Sequence, residues 1–216
     1  MRIVMTGASG LVGGLVVPQL GKHELALVGR RNLAGAPVQA RQLIGPIGGW
    51  PELVRQSSHD VAICCLGTTI RIAGSPAAFA AVDRDAAIAF AEAARAAGAR
   101  QLLMVTSVGA NATAGNFYLR TKGEAEAAAA ALGFERVDFF RPGLLRGNRQ
   151  GPARPGERMM AALAPVTDLL TPQVFDRYRS IAAGRVAAAI AACIGKSESG
   201  IHVHENRDIL SLGTGR

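Results

Sequence analysis

The sequence predicts an α/β fold, with a doubly wound, mostly parallel sheet and helices on both faces. Three observations carry that prediction. Apolar bursts alternate with helical stretches along the chain, the pattern of βαβ units. The burst Asp60-Val61-Ala62-Ile63-Cys64-Cys65-Leu66 is continuously apolar after its first residue, which suits a strand covered on both faces. The loop Gly7-Ala8-Ser9-Gly10-Leu11-Val12-Gly13 lies between a first apolar burst and a first helical run. That context makes the sheet a Rossmann-type one.

The elements follow in order. Arg2 to Thr6 reads as the first strand, followed by a helix from Gly10 to about Leu20. Glu24 to Val28 is the second strand. Val38 to Leu43 alternates and is a candidate third strand, and Trp50 to Ser57 a candidate short helix. The apolar run from Asp60 closes at Gly67. A long helix then covers about Pro76 to Ala97, with Ser75 placed to cap it, Pro76 in its first turn and Gly98 to end it. Gln101 to Thr106 is the next strand. An Ala-rich helix runs from about Phe117 to Ala131 and ends near Gly133. Val137 to Phe140 is a strand leading into Arg141-Pro142-Gly143. Gly147 to Gly156, rich in Gly, Pro and Arg, reads as an irregular loop. Val186 to Ile194 is a helix, and Ile201 to His204 alternates as a final edge strand. Residues after about 206 read as peripheral. One domain is expected over residues 1–216, with a small substrate-side region at about 144–182.

Composition narrows the function classes. A chain of 216 residues suits one domain and can bury a core without disulfides or metals. With 49% hydrophobic and 19% charged residues it is globular rather than disordered. No apolar run reaches the roughly 18 to 20 residues that span a bilayer, so no membrane partner is expected. The N-terminus enters a strand at once, leaving no room for a secretory signal, and a cytoplasmic location is the expectation. Cys64 and Cys65 are neighbours and Cys193 stands apart, without metal-ligand spacing; the thiols are expected to be buried or to line a cofactor. His202 and His204 share a strand face but lack a third ligand, so no metal is expected. His23 and His59 stand alone, and Trp50 reads as a packing residue. The net charge is +8 and the isoelectric point about 10.4. The arginines are scattered, so a solvated basic surface outweighs a nucleic-acid site.

The glycine loop specifies a ligand class. Small residues let the backbone approach a pyrophosphate, and the N–H groups at the helix start bind the anion. Gly7, Gly10 and Gly13 fall three apart, a GxxGxxG spacing. The end of strand two selects the dinucleotide. An acidic residue there would bind a ribose 2′-hydroxyl, whereas this chain carries Gly29-Arg30-Arg31. Two guanidinium groups suit a 2′-phosphate, so NADP(H) is preferred and NAD(H) is the alternative.

Ser107, Tyr118 and Lys122 supply the chemistry. Ser107 ends a strand on the same sheet edge as the glycine loop and Gly67. Tyr118 and Lys122 lie four apart, one turn along a helix face. A tyrosine hydroxyl can exchange a proton, and a neighbouring ammonium favours the phenolate. Ser107 would hold the substrate oxygen, and Lys122 could also reach the nicotinamide ribose. An exposed Tyr and Lys on a surface helix is the competing reading.

With these residues in place the sequence resembles the short-chain dehydrogenase/reductase superfamily, and within it the atypical branch that includes the Tat-interacting-protein-like oxidoreductases. The stretch Cys64-Cys65-Leu66-Gly67-Thr68-Thr69 is the most telling. Thr106 to Asn111, Asn116 through Tyr118 to Glu124, and Arg141-Pro142-Gly143 match in order. The resemblance covers roughly residues 1–206. It implies that Gly7, Ala8, Ser9, Gly10, Leu11 and Val12 cradle the pyrophosphate and that Arg30 and Arg31 take the 2′-phosphate. Cys65, Leu66, Gly67 and Thr68 would pass along the adenosine and ribose. Pro142 and Gly143 would lie beside the nicotinamide, with Tyr118 and Lys122 also touching the cofactor. Asp83 falls where the family often carries a polar residue; a surface position is an equal alternative. Two departures stand out. Leu43-Ile44-Gly45 lacks the acidic residue that often meets adenine, and the chain after residue 145 is short for a substrate lid. The expected function is NADP(H)-dependent oxidation or reduction of a small carbonyl or alcohol. An NADP(H)-binding regulatory or interaction protein without turnover is the alternative, and a nucleotide-sugar-type epimerase or dehydratase a further one. Monomer and homodimer are both open, the helices at about 76–97 and 117–131 being a candidate dimer face.

Overall fold

The computed structural model describes residues 1–147 and 177–214. The strands are β1 (Arg2–Thr6), β2 (Glu24–Gly29), β3 (Arg41–Ile44), β4 (Val61–Cys64), β5 (Gln101–Val105), β6 (Arg136–Phe140), β7 (Leu145–Arg146), β8 (Ile181–Ala182) and β9 (Gly200–His204). The helices are α1 (Leu11–Val16), α2 (Trp50–Arg55), α3 (Ile70–Ala73), α4 (Pro76–Ala80), α5 (Ala87–Ala96), α6 (Phe117–Ala130), α7 (Ala183–Cys193) and α8 (Asn206–Leu212). Seven strands form one sheet in the order β3-β2-β1-β4-β5-β6-β9, and every pairing in it is parallel. β7 and β8 pair separately.

Alternation along the strands makes the sheet two-faced. Ile3, Met5, Ile63 and Leu103 join one buried cluster with Val12 and Val16 of α1 and Val186 and Ile190 of α7. Val4, Ala62, Cys64, Leu102 and Met104 join a second with Val54 of α2, Phe90 and Ala94 of α5 and Ala129 of α6. Helices therefore cover both faces, as the continuous apolar run of β4 required. The strand order reverses between β1 and β4. Chain leaves these neighbours in opposite directions, and a crevice opens at their carboxyl ends.

Four elements differ from the sequence expectation. β3 starts at Arg41, because Val38 is fully exposed and Ala40 closes a turn on the Pro37 carbonyl at 2.8 Å. α3 is an extra helix, capped by Thr69, whose side chain accepts from the Ile72 N–H, and ended by Gly74 in the left-handed region. The long helix from Pro76 is interrupted by a π-turn, Ala81–Ala86, between α4 and α5. Residues beyond 206 are not peripheral. Ile209 is fully buried, and α8 packs on α7. The caps at Ser75 and Gly98 stand where they were expected. β9 is the sheet edge, with Ile201 and Val203 exposed. The expected loop at Gly147 to Gly156 and the substrate-side region at about 144–182 fall, over residues 148–176, outside the described residues. Among the described residues no helix is long and apolar enough to cross a membrane.

Candidate functional site

The glycine loop is shaped first by its own packing. Gly7 has φ +80°, and a Cβ there would lie 2.3 Å from the Cys65 carbonyl group. A Cβ on Gly13 would lie 2.1 Å from the Gly7 carbonyl oxygen. These two glycines thus let the loop sit against the end of β4 and let α1 sit against the loop. The Gly10 N–H donates to the Gly7 carbonyl at 2.9 Å, closing the turn. Gly10 is the N-cap of α1 and offers no side-chain cap.

A cleft of about 710 Å³ occupies the crevice. Of the residues expected to hold a cofactor, Gly7, Ala8, Ser9, Gly10, Arg30, Arg31, Cys65, Leu66, Gly67 and Thr68 line it. Val12 instead packs in the core, and Leu11 packs against that same core. Arg30 and Arg31 are exposed at the end of β2, and neither forms an ion pair among the described residues. The lining also includes the apolar residues Ile44, Ile47, Trp50, Ile72, Ala78 and Val82. Of these residues, the sequence reading named Trp50 as a packing residue and Ile44 within the segment beside adenine, and passed over the rest. Ile44 carried a signal, as an apolar residue at the carboxyl end of β3. The Trp50 ring is buried, and its Nε1 donates to the Gly45 carbonyl at 3.0 Å, so it packs as expected.

Ser107, Tyr118 and Lys122, the residues expected to supply the chemistry, are not among those that line the cleft. Ser107 follows β5, and its hydroxyl donates to the Val108 carbonyl at 3.3 Å. α6 is capped by Asn116, whose side chain accepts from the Leu119 N–H at 3.1 Å. The Tyr118 ring stacks on Phe79 of α4, with centroids 5.3 Å apart and 28° between planes. Lys122 is buried, and its Nζ lies 2.6 Å from Asp83 Oδ1. The other Asp83 oxygen accepts the Thr68 N–H at 2.9 Å. A surface position for Asp83 is excluded: the residue is 2% exposed. A Cβ on Gly67 would lie 3.9 Å from Asp83 Oδ1 and 4.0 Å from Lys122 Nζ, so the ion pair sits directly behind the cleft wall. Burial pulls the lysine down, but Asp83 and then Tyr118 outweigh it, and Lys122 titrates above its ordinary value. It is a firm ammonium.

A second buried network ties the neighbouring segments together. Glu126, one turn beyond Lys122, accepts the Thr106 hydroxyl at 2.6 Å and Arg141 Nε at 2.9 Å on one oxygen, and Arg141 Nη2 on the other. These bonds hold the Arg141 guanidinium above its ordinary value. The Pro142 carbonyl accepts the Val108 N–H at 3.1 Å, so the loops bearing Ser107 and Pro142 run side by side. The Gly143 N–H donates to Asn206 Oδ1 at 2.9 Å. A Cβ on Gly143 would meet the Arg179 carbonyl oxygen at 2.3 Å, so this glycine admits the returning chain at residues 177–179. Pro142 and Gly143 do not line the cleft.

Two other clusters carry structure rather than chemistry. Burial pushes the Cys64 thiol up to about 11 and the Cys65 thiol higher still, so neither is a ready nucleophile. Ligand atoms of Asp138, Cys193 and His204 lie within 4.8 Å of one another. Asp138 there already accepts two bonds from Arg136 at 2.7 Å each, one from Gln101 at 3.0 Å and one from His204 at 2.9 Å. An arginine neutralises the carboxylate that a cation would need.

A parallel sheet with a glycine loop at its switch point defines a protein of the Rossmann-type α/β class. Solved structures share the fold. MoeE5 in complex with UDP-glucose and NAD superposes with a TM-score of 0.71 at 15% identity, over 99% of this chain and 81% of that one. The dTDP-glucose 4,6-dehydratase DesIV from Streptomyces venezuelae, a double mutant with NAD and DAU bound, gives 0.69 at 19% identity, over 99% and 80%. No family model matches the chain. Protein HTATIP2 of Rattus norvegicus is 36% identical over 163 residues, 72% of this chain but 66% of that protein. Protein fmp52, mitochondrial, of Aspergillus niger is 31% identical over 233 residues, 100% of this chain and 99% of that one. The namesake from Eremothecium gossypii is 30% identical over 220 residues, 98% and 97%. The chain belongs to the family of these HTATIP2- and FMP52-type proteins. The expectation of a cytoplasmic location is overturned, because several of these relatives are named mitochondrial.

Proposed function

We propose that the chain binds NADP(H) in the cleft at the β1/β4 crevice and interconverts a small carbonyl and its alcohol. The observation that carries this reading is the charge pattern of the cleft. Two exposed arginines without ion-pair partners among the described residues, Arg30 and Arg31, stand at the β2 end, where an acidic residue would reject a 2′-phosphate. The NAD-bound fold neighbours support a nicotinamide cofactor in this crevice. When bound, the nicotinamide supplies the hydride donor or acceptor.

The chain's own groups do the rest. Gly7, Ala8, Ser9 and Gly10 present backbone to the pyrophosphate, and Arg30 and Arg31 pair the 2′-phosphate. Leu66, Ile44 and Ile72 give an apolar bed for the base. Ser107 holds the substrate oxygen. Tyr118 gives or takes the proton at its phenolic oxygen. Lys122, an ammonium one turn away, puts positive charge beside Tyr118 and orients the ribose side of the cofactor.

The experiment is a comparison of NADPH and NADH dissociation constants for the wild-type chain and an Arg30→Ala/Arg31→Ala double variant. NADPH should bind at least about tenfold more tightly than NADH, the worth of one charge-assisted bond, and the double variant should erase the difference. Equal affinities in the wild type would sink the NADP reading. Tyr118→Phe should keep NADPH affinity within about twofold while reducing turnover on a carbonyl panel by 100-fold or more, on the order of general-acid contributions. Tight cofactor binding with no turnover across that panel would favour the regulatory protein instead.

A further inference from the structure

We propose that Gln42 of β3 is a specificity-determining residue, which fixes the loop bearing Arg30 and Arg31 and adds an uncharged donor beside them for a 2′-phosphate. The inference rests on the reading of that loop as the 2′-phosphate site, and it brings in a residue from a different strand.

The loop after β2 is held at its two ends. At one end the Gly45 N–H donates to the Gly29 carbonyl at 3.1 Å, which extends the β2–β3 ladder by one bond. At the other end the Leu33 N–H donates to Gln42 Oε1 at 2.7 Å, while the Leu33 side chain packs against the buried cluster that includes α1. Between these anchors Arg30, Arg31 and Asn32 make no hydrogen bond or ion pair among the described residues. Where the two guanidinium groups stand therefore depends on how the anchors hold the backbone.

The strand places Gln42 for this role. In the parallel register it lies beside Leu27, two residues before Gly29. Its neighbour Leu43 is buried in the core on the other face of the sheet, so Gln42 turns to the face that Leu27 and Leu33 share. Gln42 is half-buried and lines the cleft together with Arg30, Arg31, Asn32 and Leu33.

The chemistry of the carboxamide is fixed by its partner. A backbone N–H only donates, so the atom it meets is the amide oxygen, and the NH2 group takes the other side. Gln42 makes no further hydrogen bond among the described residues, which leaves two N–H donors on a side chain that lines the cleft. Among the described residues that line the cleft none is acidic. A glutamate at position 42 would accept from Leu33 equally well but would set a negative charge beside the arginines. The amide keeps the anchor and leaves the loop fit for a phosphate dianion.

The test compares NADPH and NADH dissociation constants for the wild-type chain, Gln42→Met and Gln42→Glu. Gln42→Met keeps the volume and removes both the anchor and the donors. It should weaken NADPH binding about tenfold and NADH binding by less than about twofold, because only the 2′-phosphate uses the loop. Gln42→Glu keeps an acceptor for Leu33 and replaces the donors with a charge of the wrong sign. It too should cost NADPH about tenfold or more and leave NADH within about twofold. If Gln42→Met does not fold, Gln42→Glu carries the test alone. Equal weakening of both dinucleotides would overturn the proposal, since a merely structural Gln42 does not distinguish them. Unchanged NADPH affinity in either variant would overturn it as well. In both of those outcomes the wild type still prefers NADPH and loses that preference in Arg30→Ala/Arg31→Ala. Failure of the parent reading looks different: the wild type then binds both dinucleotides equally or neither, and both ideas fall together.

Discussion

Gly7 and Gly14 sit in the same loop-and-helix unit yet face opposite demands. Gly7 has positive φ and would place a Cβ 2.3 Å from backbone, whereas a Cβ on Gly14 finds its nearest neighbour at 3.5 Å, ordinary contact. Gly7→Ala should cost about 3 kcal/mol through strain and overlap, lowering the melting temperature by roughly 6 to 12 °C, and should abolish NADPH binding. Gly14→Ala should be neutral or stabilising by up to about 1 kcal/mol, because helical alanine loses less entropy. Thermal unfolding of the two variants separates these outcomes; equal melting temperatures would refute the packing account. Some residues at this scale were legible and others were not. Arg30 and Arg31 could be read because the end of strand two has a defined place beside the crevice. Asp83 was ambiguous, because on an unbroken helix no local pattern says whether residue 83 turns inward. The π-turn decided it.

At the scale of elements, Glu126 ties α6 to the ends of β5 and β6 through Thr106 and Arg141. Removing its charge leaves a partly buried guanidinium without its partner. Glu126→Gln should therefore cost about 3 kcal/mol, the range seen when one half of a buried pair is removed. Glu124→Gln, two residues away on the exposed side, should cost less than about 1 kcal/mol. Urea denaturation of both variants checks the contrast, and similar losses would show that Glu126 does not hold the three elements together. Element positions were legible wherever a strand is covered on both faces or a helix carries its caps. β1, β4 and β5, the cap at Ser75 and the stop at Gly98 are of this kind. β3 was drawn too long, since alternation at Val38 looks the same whether or not a neighbouring strand exists to cover it. α8 was dismissed, because its burial comes from α7 and not from its own pattern.

For the molecule as a whole, acid stability should depend on Asp138, between β5 and the β9 edge. Burial alone would raise this carboxyl, but hydrogen bonds from His204, Arg136 and Gln101 outweigh it and bring the pKa from 3.8 down to about 2. A carboxylate depressed in the folded state adds stability above its unfolded value and loses it as pH falls through the folded one. The loss should run from about pH 4 to about pH 2 and amount to about 2 kcal/mol. Urea titrations from pH 7 to pH 2 should show this loss in the wild type. Asp138→Asn should be less stable at pH 7, with Arg136 left only its contacts to Glu198 at the surface, and should lose less on acidification. An unchanged acid slope would remove Asp138 from the account.

The sequence by itself determined the α/β class, the succession of most strands and helices along the chain, the family, and the glycine loop and arginines that line one part of the cleft. These follow from local rules: alternation, caps, turn residues and motif spacing act over a few positions. Only the tertiary structure decided that Lys122 is paired with Asp83 behind Gly67, that Gly7 and Gly13 serve backbone packing, and that Glu126 joins three segments. Each of these depends on groups from different elements meeting in a buried space, where a lone charge is costly and a Cβ too many does not fit.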